Sequence, residues 1–373
     1  MRRDLQISCT TDRADNTVAM NQGPSPRQFL PEWTPQQAVM LSWPGRDSDW
    51  ASLLDAIETT FITLIEVIAR YQHVLVTLPD EDTRQRLART LANLGVPENR
   101  LSLVIAPSDD TWARDHGPLT VVEHDTSVLL DYRFTGWGGK FPAERDNALN
   151  RVLADQGIFT PELQNLQQIV LEGGGVETDG QGTLMTTRSC LLNPNRNPHL
   201  DQAAVEKLLE TQLGISRVLW LENGYLEGDD TDSHIDTLAR FCDEHTIAYV
   251  RCDDDTDPHF EALNAMEREL KAFRRADGEP YRLIALPWPR ACLDPEDGHR
   301  LPATYANFLI INGAVLMPSY ADPVDHDALR ALAEAFPTRD IIPIDCRQVI
   351  RQHGSLHCLT MQLPAGLLNE IKY

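Results

Sequence analysis

One arrangement recurs along this chain: a polar helix, a short apolar run, then two short runs joined by a tight turn. The helical stretches are 50–71, 82–96, 200–213, 257–275 and 325–336. Each is followed by an apolar run, at 73–79, 101–107, 217–223, 281–287 and 340–346, and short β-branched runs of this kind read as buried strands. Hairpin turns are expected at His124–Thr126, Asp179-Gly180, near Asp243–His245 and at Asn312-Gly313. The last hairpin strand, within 355–364, must close on the N-terminal run 38–44. Five helix–strand–hairpin units closed by strands from opposite ends predict a circular α/β array, with an open α/β sheet as the alternative. The period is uneven across 133–170, which reads as an insertion carrying WGGK (137–140). Asp/Pro-rich links at 253–258 and 289–302 read as surface loops, so 28–373 is expected to be one domain. Residues 1–27 read as a flexible polar leader, with Met20 an alternative start.

Composition narrows the partners. With 56 acidic against 33 basic residues the net charge is −23, which argues against nucleic acid and anionic membranes and suits a small cationic substrate, although solubility alone accounts for many acidic proteins. The seven cysteines, Cys9, Cys190, Cys242, Cys252, Cys292, Cys346 and Cys358, are odd in number and form no CxxC, so neither a disulfide framework nor a structural zinc site is expected. A reducing, cytoplasmic setting fits them. The N-terminus lacks the apolar core of a signal peptide, and no run approaches the ~20 apolar residues of a membrane span. The oligomeric state stays open, a homo-oligomer included.

The chemistry concentrates at the ends of expected strands. No phosphate-cradling GxxxxGK[ST], dinucleotide GxGxxG or HExxH is present. His234 and Asp236 are two apart at a strand start, which puts imidazole and carboxylate on one face and suits acid/base work; surface polarity is the plainer alternative. Asp115 lies in DDTWARDHGP (109–118), an acid beside a turn, with Asp110 the weaker candidate and a solvated loop the alternative. Glu172 precedes three glycines, which suits close approach of backbone to a ligand or chain, or else a bulge. Cys358 follows His357 in a strand-like segment, where alternation sends the two side chains to opposite faces and leaves His357 unfit as its base. A lone cysteine there is ordinarily a small buried hydrophobe, and the other six are read as structural. Taken together, a thiol among Asp115, Glu172 and Asp236 would be a poor nucleophile unless the substrate brings its own positive charge. A planar guanidinium, gripped bidentately by carboxylates, meets that need.

Trp112 to Pro118 (WxRDxGP), LEGGG (171–175), LLNPNRNP (191–198), TDSHID (231–236) and HCLT (357–360) occur in one order, and with them the chain resembles the agmatine deiminase / bacterial peptidylarginine deiminase-like family of guanidino-group-modifying enzymes over about residues 30–366. The resemblance implies a five-bladed α/β propeller (pentein-like). It implies Cys358 as nucleophile, His234 as general acid/base, Asp115 and Asp236 as the guanidinium grip, Glu172 as the carboxylate orienting the histidine, and Trp112 packed on the substrate's alkyl stem. The implied reaction takes agmatine to N-carbamoylputrescine plus ammonia, a step of polyamine metabolism, through a thiouronium adduct and with no metal or organic cofactor. Deimination of peptidyl or free arginine, or amidino transfer to an amine, is the alternative. Ser233, where many members carry Gly, and His353-Gly354-Ser355-Leu356 depart from the family pattern. Outside the family, His234 and Asp236 with His299 or His326 would form an iron facial triad, and 229–232 and 253–257 would serve as calcium loops of an interaction protein.

Overall fold

The computed structural model of the chain describes residues 27–369; of the expected leader 1–27 only Arg27 falls within them, its Nε donating to Glu123 Oε2 at 3.1 Å, and Met20 and Cys9 lie outside. The expected helices form at Leu54–Ala69, Glu81–Asn93, Gln202–Leu213, Phe260–Ala272 and Asp325–Ala335. The strands after them form at His73–Leu78, Leu101–Ile105, Arg217–Leu221, Arg282–Leu286 and Asp340–Asp345. Local chemistry starts two of the helices: the Asp80 carboxylate accepts from Thr83 N at 2.7 Å and that of Asp201 from Ala204 N at 2.9 Å, caps worth about 1 kcal/mol each. Helix Leu54–Ala69 is held by its inner stripe, with Ile57, Phe61, Leu64 and Ile68 fully buried, each contributing about 1.5–3 kcal/mol.

Five sheets repeat one plan, an antiparallel hairpin whose second strand pairs in parallel with a third reached through a helix. Asn312-Gly313 turns between Leu309–Ile311 and Ala314–Ser319, with Ile311 opposite Ala314 and Gly313 at φ +78°, a conformation a side chain resists. The terminal strand Thr360–Pro364 pairs antiparallel with Gln36–Ser42, with Thr360 opposite Leu41, so the two ends of the fold share one sheet as expected. The reading of 133–170 as an insertion is wrong. It holds helix Glu144–Asp155 and strand Leu163–Val170, which runs parallel to Thr126–Arg133 and completes a unit of the same plan. Helix Glu81–Asn93 and strand Leu101–Ile105 are instead an extension of the sheet that joins the ends. The link 289–302 carries a small ribbon, Cys292–Leu293 against Arg300–Leu301. Among the described residues no helix is long and apolar enough to cross a membrane.

Candidate active site

Short turns immediately before the hairpins' first strands build the site. They are Ala113–His116, Gly173–Gly175, Ile235–Thr237 and His357–Leu359, with Asn307 contributed just before Leu309–Ile311. Two strand assignments are therefore corrected. His234 and Asp236 lie on a 3-10 turn, not a strand, because ladder pairing starts only at Ala239. Cys358 likewise sits on a 3-10 turn, since pairing starts at Thr360. Pleat alternation does not apply to either pair. His357, excluded on that ground, packs beside Asp236, its Nδ1 2.8 Å from Asp236 Oδ2.

The structure brings Cys358, His234, Glu172, Asp236 and Asp115 together, each at most 4 % exposed. Cys358 Sγ lies 3.7 Å from Asp236 Oδ2, and Asn307 Nδ2 donates to it at 3.4 Å. His234 Nε2 is 3.3 Å from Glu172 Oε2, and its Nδ1 is 3.5 Å from Asp115 Oδ1. Asp115 Oδ1 accepts from Gly174 N at 2.9 Å and Oδ2 from Trp137 Nε1 at 2.9 Å. A Cβ on Gly174 would stand 2.6 Å from His234 Nδ1, 2.8 Å from Asp115 Oδ1 and 3.2 Å from Asp236 Oδ2. The glycines after Glu172 thus let catalytic-type side chains crowd the backbone.

Burial, then the charges of Asp236 and Asp115, push the Cys358 thiol well above its usual range. Burial works against a charged His234, yet the facing Asp115 carboxylate and Cys190 outweigh it and raise the imidazole well above its ordinary value. Burial, with Asp236 and Glu172 nearby, lifts Asp115 to about 6 against the pull of His234. Glu172 is buried too, but the Arg196 guanidinium, with Nε 2.6 Å from Glu172 Oε2, holds it below the usual carboxylate range. The site therefore holds a protonated thiol and a protonated imidazole among its acids, and a cation entering between those acids would favour release of the thiol proton to solvent and so the thiolate.

A cleft of about 400 Å³ leads to Cys358, lined by Trp112, Asp110, Asp115, Trp137 and Gly354 and rimmed by Asp49 and Asp230. Trp112 packs with Trp50 and Trp137, its ring so close to Gly354 that a Cβ there would stand 2.3 Å from it. Asp110 lines the cleft, but its Oδ1 already accepts from Trp50 Nε1 at 2.8 Å and Thr111 N at 2.7 Å. Both family departures carry left-handed backbone, Ser233 at φ +67° and His353 at φ +67°. These are conformations glycine adopts freely and other residues at a cost. Residues that the sequence reading left without a role include Trp137, Asn307 and Arg196. Arg196 also bonds Asp232 Oδ2 at 2.7 Å and the Thr231 carbonyl at 2.7 Å. A buried arginine inside the Asn/Pro-rich 191–198 was the available signal.

The facial triad is not assembled. His299 bonds Asp297 and stacks on His353, and the metal-capable groups among the described residues do not join His234 and Asp236 to a second histidine. Donor atoms of Glu172, Cys190 and His234 do lie within 4.8 Å of one another, but Arg196 already neutralises that carboxylate and opposes a cation. Cys190, read as structural only, thus stands beside the histidine. In the proposed calcium loops Asp229 and Asp257 are taken up by the chain itself. Asp229 accepts from Thr231 and Ser233, and Asp257 from Trp288 and Arg300.

A family model described as Porphyromonas-type peptidyl-arginine deiminase matches residues 28–364. An agmatine deiminase of Stutzerimonas stutzeri (strain A1501) is 33% identical over 367 residues, covering 91% of this chain and 97% of its own. A solved structure from Porphyromonas gingivalis, provisionally named an arginine deiminase, is 49% identical with a TM-score of 0.85, over 92% of this chain and 100% of its own. A substrate-bound agmatine deiminase of C. jejuni, carrying a serine in place of a cysteine, is 38% identical with a TM-score of 0.84, over 91% of this chain and 97% of its own.

Proposed function

The chain belongs to the Porphyromonas-type peptidyl-arginine deiminase family, and from that footing we propose that it hydrolyses the guanidinium group of agmatine to a ureido group, releasing ammonia. The observation that carries this is a buried carboxylate oxygen without a hydrogen-bond partner, Asp236 Oδ1, beside Asp115 and the Cys358 thiol. Buried polar atoms of this kind are costly unless a ligand completes them. A guanidinium supplies N–H donors to the two carboxylates and the positive charge that the thiol needs to ionise.

In the proposed sequence Asp115 and Asp236 hold the guanidinium and keep charge on its carbon. The Cys358 thiolate forms a C–S bond to that carbon. The C–N bond breaks, and the departing nitrogen takes a proton from His234 and leaves as ammonia. His234, now neutral, removes a proton from water, and the hydroxide adds to the thiouronium carbon. The C–S bond then breaks as the adduct's hydroxyl proton is lost to solvent, giving the ureido product and restoring the thiolate beside a reprotonated His234. Glu172, held by Arg196, orients the imidazole, and Trp112 with Trp137 walls the alkyl stem. Asp110, its carboxylate already engaged, shapes the wall. All of this proceeds on side chains of the protein, with no cofactor invoked.

The far end of the cleft favours agmatine over arginine. No lysine or arginine lines it, whereas the carboxylates of Asp49 and Asp230 do, so it offers acids to an ammonium and only Thr231, Gln352 and His353 to an α-carboxylate. The plan of five like sheets supports a closed five-bladed propeller in one catalytic domain, its blade turns meeting at the site. The test is a product screen with agmatine, arginine and an arginyl peptide, run on wild type and Cys358→Ser. Ureido product from agmatine, lost with the serine, is expected. Turnover of arginine or the peptide in preference to agmatine would overturn the substrate assignment, and substantial activity with serine would remove Cys358 from the nucleophile's role.

A further inference from the structure

Next to the thiol lies a buried chain of three side chains, two of which the mechanism above leaves unused. Asp236 Oδ2, the oxygen facing Cys358, meets His357 Nδ1 at 2.8 Å, and His357 Nε2 meets Glu32 Oε2 at 2.7 Å. Glu32 is fixed in turn, its Oε1 accepting from Ile310 N at 2.6 Å and its Oε2 from Arg240 Nη2 at 2.6 Å. All three members are at most 8 % exposed. An N···O contact of this length needs a proton between the two atoms. A neutral imidazole carries one N–H and an ionised carboxylate carries none, so two such contacts around one ring require two protons.

We infer that Glu32 and His357 are positioning residues for Asp236, joined to it by a chain that holds one proton more than two carboxylates and a neutral imidazole would carry. The proposal rests on the deiminase reading for its purpose but not for its geometry. The extra proton lies as a charged imidazole N–H or as a carboxyl O–H and moves only along these two contacts, so nothing is gained from or lost to solvent as it shifts. Its consequence is specific. The carboxylate nearest the nucleophile, which must also grip a cation, shares its charge with an imidazole in place of presenting it whole to the thiol, and its plane is fixed so that Oδ1 stays free for substrate.

The charged groups facing His357 fit this. Besides Asp236 and Glu32 they are Arg114, whose Nη2 is 3.9 Å from Glu32 Oε2, and Arg240, which also bonds Glu177; Cys358 lies one contact further. Arg339 adds positive charge within reach of Glu32. Burial and the two nearer arginines press the ring away from full positive charge, and Arg240 and His357 hold Glu32 ionised despite its burial. The shared proton is thus confined to the His357–Asp236 end of the chain.

The test needs no substrate, so its failure is separable from failure of the deiminase reading. In wild-type enzyme, low-field proton NMR should show two hydrogen-bonded protons belonging to His357, both absent in His357→Asn. Finding only one would overturn the proposal. The pH dependence of Cys358 alkylation should shift in His357→Asn, and kcat/KM should fall roughly ten- to a hundredfold, the size of one charge-assisted hydrogen bond. An alkylation profile superimposable on wild type, whatever the change in thermal stability, would reduce His357 to a packing residue.

Discussion

Gly174→Ala should disable the enzyme while sparing its fold. The new methyl would enter the centre of the site, 2.6 Å from His234 Nδ1, 2.8 Å from Asp115 Oδ1 and 3.2 Å from Asp236 Oδ2. Ordinary contact begins at 3.4 Å, so the imidazole must retreat by about 0.8 Å and the Asp115 carboxylate by about 0.6 Å. Displacements near 1 Å cost on the order of 100-fold in rate, because the reacting groups leave their line of attack. Over-packing costs roughly 1–3 kcal/mol of stability. The loss of glycine's freedom in the unfolded chain returns about 0.4–1 kcal/mol, since no left-handed backbone is needed here. Net destabilisation should therefore stay below about 2.5 kcal/mol. Steady-state kinetics on agmatine and a thermal melt measure the two effects. Gly45→Ala is the control, its added Cβ meeting nothing nearer than 4.0 Å. A Gly174→Ala enzyme within tenfold of wild-type kcat would refute the claim that these three side chains must converge on that backbone.

Asp236→Asn should remove roughly 2–5 kcal/mol of transition-state stabilisation, measured as kcat/KM, since a buried carboxylate–guanidinium pair loses its charge. In the free enzyme Asp115, raised to about 6 by burial, gains a proton below that pH and loses its grip on a cation; kcat/KM should fall as pH drops through about 6, and Asp115→Asn should abolish that limb. Because His234 holds its proton well above the ordinary histidine value, the alkaline limb of kcat/KM should lie above neutral pH; activity lost as pH rises through about 6.5 would show that no such imidazolium exists. Activity should survive dialysis against EDTA, and reversible loss restored by iron would count against thiol chemistry.

How much was legible follows from what set each feature. Helix–strand–hairpin units announce themselves through hydrophobic period and turn chemistry, so Asn312-Gly313 and the closing strand Thr360–Pro364 could be placed from residues alone. The family resemblance, carried by motifs in one order, is borne out over residues 28–364. Of the two stretches misjudged, 133–170 fails for a local reason: Gly136, Trp137, Gly138 and Gly139 all take positive φ, a turn that looks like inserted sequence yet puts Trp137 Nε1 on Asp115. The site's side chains sit on turns outside the ladders, where alternation gives no guidance. Their directions come from contacts between residues distant in sequence, such as Asn307 with Cys358, 51 residues apart, or His357 with Glu32, 325 residues apart. Motif reading therefore found the thiol, imidazole and acids that the structure brings together, but not Asn307, Arg196 and His357, which pack against them. The rule that neighbours on a strand face apart removed His357 from consideration. Its premise lapsed because the strand begins two residues beyond Cys358, and a turn can hold the thiol and a contact to its carboxylate neighbour on adjacent residues.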